Sequence, residues 1–434
     1  MKSLAEFYRR QLVDECLPFW FPRAIDETHG GFLHCFDRDG SLVDDDKSVW
    51  AQGRMSWMLL TLYQELEPRS EWFAWAERGL RFLEQKCVDP ADGRMYFHVA
   101  RDGTPLRKRR YAFSESFAAI AYAAHASATG SFASADRARH WFDRFTDWNF
   151  TPGRIPPKFT GARPMEGIGT RMITLVTAQE MRKHLGDDPH FTKWIDHCLD
   201  DIVRLFVKSD LKAVMESVAP DGSISDHFDG RMLNPGHAIE AAWFVMEEAR
   251  HRQDSQLGKL GCDMLDWMWE RGWDKEHGGL FYFRDLHGKP VQEYWHDMKF
   301  WWPHDEALIA TLMAYDLTND AKYLAWHEML REWSFKHFSD PGKGEWLGYL
   351  HRDGTPSNTL KGSLWKSFFH HPRALWRCHQ LAKGIPDLQA KEKYSNLIDG
   401  NSTNRLPVLA WNGSAPVGDS LPDLKPVYVN PLSI

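Results

Sequence analysis

Residues 345–373 read EWLGYLHRDGTPSNTLKGSLWKSFFHHPR. An aromatic segment enters, Asp353-Gly354 turns the chain, a polar segment returns, and an aromatic, basic run carrying His370, His371 and Arg373 follows. The stretch reads as a hairpin that delivers a charged cluster to the start of a helix. Asp-Gly suits such a turn because it needs positive φ, which glycine takes without strain and aspartate tolerates.

The same plan recurs upstream in GGFLHCFDRDGSLVDDDK, GRMYFHVARDGTPLRKRR, ESVAPDGSISDHFDG and GGLFYFRDLHGKPVQEY. The turns fall at Asp39, Asp102, Asp221, His287 and Asp353, at intervals of 63, 119, 66 and 66 residues. The long interval is nearly two of the short ones. It places a further unit near residue 161, where TPGRIPPKFTGARP supplies a Pro-rich loop in place of a clean hairpin. Six units result, and self-similarity at a fixed period is the mark of a repeat architecture.

Ahead of each turn lies an amphipathic helical pattern. Trp72, Ala76, Leu80, Leu83 and Cys87 recur at steps of three and four, and 194–206, 257–269 and 323–333 behave alike. After each turn comes a helix of another kind, apolar or small on nearly every side: AFSESFAAIAYAAHA, PGHAIEAAWFVMEEA and HDEALIATLMAYDL. A helix apolar all round is buried on both flanks. Six units of outer helix, hairpin and buried inner helix close into a ring, since an open array would expose its terminal inner helices. The expected fold is therefore all-α, an (α/α)6 barrel over residues 1–383 with the hairpins at one end. The remainder, 384–434, is rich in Pro, Asn, Ser and Gly without helical period, and is expected to be an irregular or partly disordered tail.

Composition narrows the function. The 434 residues carry a net charge of −7 (53 basic, 60 acidic), and the only basic block, RKRR at 107–110, is short and lies inside a hairpin. That argues against nucleic acid as a partner. No apolar stretch reaches the ~18 residues of a membrane span, and the amino terminus has no continuous apolar segment of a secretory signal. Six widely spaced cysteines form neither CxxC pairs nor a disulfide framework, so a reduced, cytoplasmic protein is expected. Tryptophan is high, at 21 residues, which suits either sugar-stacking platforms or a large helical core.

If the hairpins share one geometry, residues 13 to 19 positions past each turn face the central cavity. Those positions select Arg54, Glu115, His237, Glu306 and His370, with Trp50, Tyr111, Asn234, Trp301, Trp302, Trp365, Lys366 and Arg373 nearby as an aromatic wall with polar handles. Each has a plainer reading. Asn234 is a good N-cap and His237 a packed helix-start residue. Only one of His370 and His371 can point inward, because adjacent helical residues diverge by about 100°. Arg54, in the otherwise uncharged VWAQGRMSWMLL, needs an anionic partner or a ligand, and Glu306 is a candidate partner.

Two histidines, an arginine and a glutamate suit proton abstraction beside a carbonyl: a base near neutrality, a positioned acid and a cation for the enolate. Return of the proton to the opposite face inverts the carbon; return to the neighbouring carbon makes an aldose–ketose isomerase. The residues alone leave both open. A catalytic metal is disfavoured because no HExxH or close His/Cys set occurs, and neither a GxGxxG fingerprint nor a P-loop appears. Two other readings stand: a glycoside hydrolase using Glu115 and Glu306 as opposed carboxylates, and a non-catalytic sugar- or protein-binding barrel.

EWLGYLHRDG, KGSLWKSFFHHPR, WWPHDEALIATLMAY, NPGHAIEAAWF and VWAQGRMSWML together resemble the N-acylglucosamine 2-epimerase (renin-binding protein) family, from about residue 5 to residue 383. The resemblance implies the same barrel, with His237 and His370 as the acid/base pair, Arg54 at the enolate oxygen, Glu306 supporting a histidine or the sugar, and Arg373 in the polar floor. Substrate contacts are expected from Trp50, Tyr111, Glu115, Asn234, Trp302, Trp365, Lys366 and Arg373. It implies a sugar substrate and no required cofactor, and it admits ATP as an allosteric activator and a homodimer. GTRMITLVTAQEMR is similar to the pattern of the N-acetylglucosamine enzymes, which favours that sugar over mannose, glucose or cellobiose.

Overall fold

The computed structural model describes residues 1–109 and 111–385. Arg110 of the basic run and the expected tail from 386 onward lie outside the described residues. Helices α1 (Lys2–Arg10), α3 (Ser70–Lys86), α5 (Phe132–Phe150), α7 (Pro189–Asp201), α9 (Ser255–Gly272) and α11 (Ala321–His337) alternate along the chain with α2 (Val49–Glu65), α4 (Phe113–Thr129), α6 (Ile168–Leu185), α8 (Pro235–Arg252), α10 (Trp301–Thr318) and α12 (His370–Gly384). Helix α1 continues through a π-turn, Gln11–Cys16, into Leu17–Trp20.

The two sets differ as their sequences require. Every residue of α10 from Trp301 to Tyr315 is buried, so this helix has neighbours on all sides. On α3 the buried residues Trp72, Ala76, Gly79, Leu80, Phe82 and Leu83 keep to one face. Inner helices thus form the ring and outer helices wrap it. The reversals between them are tight: Gln253 and Asn319 end α8 and α10 in left-handed conformations, and Asp254 and Asp320 then cap α9 and α11 through their side chains. Helix α12 packs against α10 and α1 and touches α2, which closes the ring. This is the (α/α)6 barrel.

Among the described residues no helix is long and apolar enough to cross a membrane. All six cysteines are free and buried.

The turns form as read, with one difference. Gly103 takes φ +94° and Gly354 φ +86°, a region costly for any residue with a Cβ. The aspartates themselves do not adopt positive φ. Instead Asp102 Oδ1 accepts the backbone N–H of Thr104, and Asp353 Oδ1 that of Thr355, both at 2.9 Å. Nor are the hairpins all self-contained. Lys47–Ser48, just ahead of α2, pairs with His98–Val99 of the next unit, Met232–Leu233 with Arg284–Asp285, and Lys299–Phe300 with Tyr349–Leu350. A strand of two residues leaves an open edge, and the preceding unit fills it. The hairpins are therefore stitches between units, and they hold the first turns of the inner helices around one mouth.

Candidate active site

At that mouth lies a cavity of about 620 Å³ lined by Arg54, His237, Glu240, His370 and Arg373 among aromatic walls that include Trp50, Trp302 and Trp365. His370 opens α12, and its Nδ1 stands 2.7 Å from Glu306 Oε1. A carboxylate only accepts, so Nδ1 carries the proton and Nε2 keeps its lone pair. Glu306, on α10, is fully buried and multiply held: Trp243 Nε1 donates to Oε2 at 2.8 Å, and Arg373 Nη2 donates to Oε1 at 2.6 Å. Arg373 Nη2 also donates to Glu240 Oε1 at 2.6 Å. Burial drives the pKa of His370 well below its ordinary value, and the Arg373 and Arg54 cations add to it against the pull of Glu240. His370 is held neutral, as a base.

His237 is set the other way. Asn234 caps α8, its Oδ1 accepting the His237 backbone N–H at 3.1 Å, and the ring Nδ1 donates to Glu216 with both carboxylate oxygens at 3.1 Å. Burial alone would lower its pKa, but the Glu216 carboxylate, with Glu240 and Glu306 behind it, outweighs that and raises it. Trp302 lies by both imidazoles, its ring centroid 5.0 Å from that of His237 and 5.9 Å from that of His370. The cavity thus carries a neutral and a charge-favouring imidazole, a pairing suited to removing a proton and returning one.

Arg54, on α2, is sandwiched by rings, its guanidinium carbon 4.1 Å from the Phe117 centroid, 4.6 Å from Phe369 and 5.2 Å from Trp50. Its Nε has no hydrogen-bond partner, and among the described residues no carboxylate hydrogen bonds to it. Burial and neighbouring Arg373 pull its pKa down to about 9. It is a cation held by aromatic faces with its donors free for a ligand oxygen.

Four expected site residues stand elsewhere. Glu115 is buried on another face of α4, where Oε1 accepts the Met95 backbone N–H at 2.8 Å. Gln52 does the same for Phe32 and His304 for Leu280. The position 13 after Asp102 therefore corresponds to Gln52, 13 after Asp39, and the counterpart of Arg54 is Phe117, which lines the cavity. Positions 13 and 15 past a turn lie about 200° apart on a helix and so face opposite ways. Tyr111 packs behind the wall, 4.5 Å from Phe113. Asn234 serves as the cap. Lys366 is buried, donating to Glu345 Oε1 at 2.8 Å. With Glu115 turned away and Glu306 behind His370, these two carboxylates do not face each other across the cavity as a glycosidase pair would.

Two acidic residues that the hairpin spacing does not select complete the site. Glu240 lies three positions after His237 in HAIE, on the same helical face, a spacing that could have found it. Glu216 comes from the segment before the Asp221 turn, and nothing local marks it. Glu240, Glu306 and His370 lie close enough together to hold a metal ion, but the Arg373 guanidinium already bridges the two carboxylates.

A family model described as N-acylglucosamine 2-epimerase (GlcNAc 2-epimerase) matches residues 31–374. The chain belongs to the N-acylglucosamine 2-epimerase family. It is accordingly an enzyme of the isomerase class, a sugar epimerase. The N-acylglucosamine 2-epimerase of Bos taurus is 36% identical over 384 residues, 86% of this chain and 90% of that one. The cellobiose 2-epimerase of Eubacterium cellulosolvens is 23% identical over 400 residues, 85% of this chain and 96% of that one. The solved cellobiose 2-epimerase of Bacillus thermoamylovorans superposes with a TM-score of 0.77 at 20% identity, over 88% of this chain and 100% of that one. This last likeness is one of fold.

Proposed function

We propose that this family member interconverts N-acetylglucosamine and N-acetylmannosamine through two histidines, without a cofactor. The sugar reacts as its open-chain aldehyde, because only then is the C2 proton acidic. His370 Nε2 takes that proton, and the C2–H electron pair moves through the C1–C2 bond to O1. Arg54, whose donors are free, meets the negative charge that develops there. Protonated His237 then returns a proton to C2 on the other face, the electrons flow back from O1, and the carbon is inverted. Glu306 and Glu216 hold the two rings in their tautomers. Solvent exchange of one proton between the histidines restores the starting state.

The observation that carries this reading is that His237 and His370 line one cavity, each held at Nδ1 by its own carboxylate. For the substrate, support comes from the higher identity to an N-acylglucosamine enzyme than to a cellobiose enzyme. The cavity face of α6 agrees: Met172, Ile173 and Val176 offer an apolar wall to an acetamido methyl group.

The test is proton NMR of the protein with N-acetylglucosamine in heavy water. N-acetylmannosamine labelled with deuterium at C2 is expected. A product retaining its C2 proton would sink the mechanism, and no product with N-acetylglucosamine but turnover of mannose or cellobiose would reassign the substrate.

A further inference from the structure

A second cluster lies apart from the sugar cavity, between the π-turn, the last hairpin and α12. Cys16, Glu345 and His371 are buried, and one donor atom of each lies within 4.8 Å of the other two. The Cys16 thiol donates to Glu345 Oε2 at 3.0 Å. His371 Nδ1 donates to Asp305 Oδ1 at 2.9 Å, which leaves Nε2 as the nitrogen with a lone pair. All three residues line a cavity of about 290 Å³ that has no part in the proposed epimerisation.

We infer that Cys16, Glu345 and His371 form a binding site for a divalent, borderline-soft cation, Zn²⁺ by its chemistry. Thiolate, carboxylate and imidazole are the ligand types zinc takes, at bond lengths of about 2.0–2.3 Å, so a tetrahedral ion needs ligand atoms roughly 3.3–3.7 Å apart. The sulfur and the carboxylate oxygen are already closer than that, and a ring nitrogen of His371 lies within 4.8 Å of both. Asp305 behind His371 is the second feature such sites share: a carboxylate that fixes the tautomer and orients the ring. The adjoining cavity supplies room for a water in the fourth position. Lys366 and the Trp346 N–H hold Oε1 of Glu345, and Trp20 Nε1 donates to Oε2 at 2.7 Å, so the cation would take the one place on Oε2 that the Cys16 thiol now fills. The step balances simply. The Cys16 S–H bond breaks, the sulfur pair binds the cation, and one proton leaves to solvent. Sites with an open position and a cysteine ligand favour zinc over magnesium or calcium, which prefer oxygen alone.

The experiment uses the full chain, stripped with a chelator and titrated with Co²⁺ as a spectroscopic substitute. One equivalent is expected to bind, with a thiolate-to-cobalt charge-transfer band in the near ultraviolet, release of one proton, and displacement by Zn²⁺. Cys16→Ser should abolish the band while Cys35→Ser leaves it. Asp305→Asn, which touches no metal, should weaken Co²⁺ binding by ~10–100-fold. Absence of the band in the unaltered protein, or its survival in Cys16→Ser, overturns the site. Should Cys16→Ser fail to fold, the unaltered protein still decides, because binding of Co²⁺ without proton release also overturns it.

Discussion

Arg38 donates from Nε and Nη2 to the two oxygens of Asp340, at 2.7 and 2.6 Å, and so joins the first unit to the last. The contact repeats around the ring. Arg101 reaches Asp26 of the preceding unit in the same two-pronged way, and Arg352 reaches Asp274. Each aspartate also holds a buried lysine: Asp26 holds Lys47 at 2.8 Å, Asp274 holds Lys299 at 3.0 Å, and Asp340 holds Lys361 at 3.3 Å. The arginine of each Arg-Asp-Gly turn is thus a clamp between neighbours.

The lysines make the clamps asymmetric. Asp26→Asn would leave Lys47, whose side chain is fully buried, without its counter-charge, at about 3–5 kcal/mol. Arg101→Ala removes a partly exposed partner and should cost much less. Denaturant unfolding of the two variants checks the order, and equal losses would mean that the lysine pair is not the stabilising element.

Removing either histidine should lower kcat by about 10²–10⁴-fold. The labelling pattern is the sharper readout. His237→Ala retains His370, so one epimer should still exchange its C2 proton with heavy water without being inverted. His370→Ala should exchange only the other epimer. Exchange of both epimers by either variant would show that one histidine serves both faces.

The rate should be bell-shaped in pH. In the direction where His370 is the base, kcat/KM falls on the acid side as that imidazole gains a proton, and its lowered pKa puts this limb below pH 6.5. It falls on the alkaline side as His237 loses its proton, and the raised pKa puts that limb above pH 6.5. Glu216→Gln removes the main raising influence and leaves the lowering effect of burial, so the alkaline limb should move to lower pH while the acid limb stays. An unmoved alkaline limb would assign it to another group.

Glu115 should behave as a scaffold residue. Glu115→Ala leaves the Met95 N–H buried without an acceptor, which costs about 1–3 kcal/mol. Glu115→Gln keeps an amide oxygen there, as Gln52 does for Phe32, and should restore stability with kcat and KM near those of the unaltered protein. A large loss of kcat in a well-folded Glu115→Gln variant would return this residue to the site.

Glu248 offers a test at acid pH. Although burial pushes the other way, hydrogen bonds from Arg182, Arg252 and Gln179 hold its pKa down to about 2. A depressed carboxylate pKa contributes stability that is present above the unfolded value and lost as pH falls through the folded one. Glu248→Gln should therefore be less stable at neutral pH and lose less than the unaltered protein between about pH 4.5 and 2. Parallel stability curves would argue against this linkage.

The order of helices, the turns and the closure into a barrel were legible in the residues, because they follow from local rules: a stripe or an all-round apolar surface, and glycine where φ must be positive. His237, His370, Arg54 and Trp302 were legible too, since they sit at helix starts a fixed distance past a turn. What the tertiary structure alone decided was phase and partnership. Each helical residue rotates the side chain by about 100°, so a difference of two residues in loop length moves a position from the cavity to the outer wall, as Glu115 and Phe117 show. The proton preferences of the histidines depend on Glu216 and Glu306, which come from 21 and 64 residues away, and the clamp from Arg38 to Asp340 spans 302. Such pairs interact through space across the ring, and no local pattern in the chain records them.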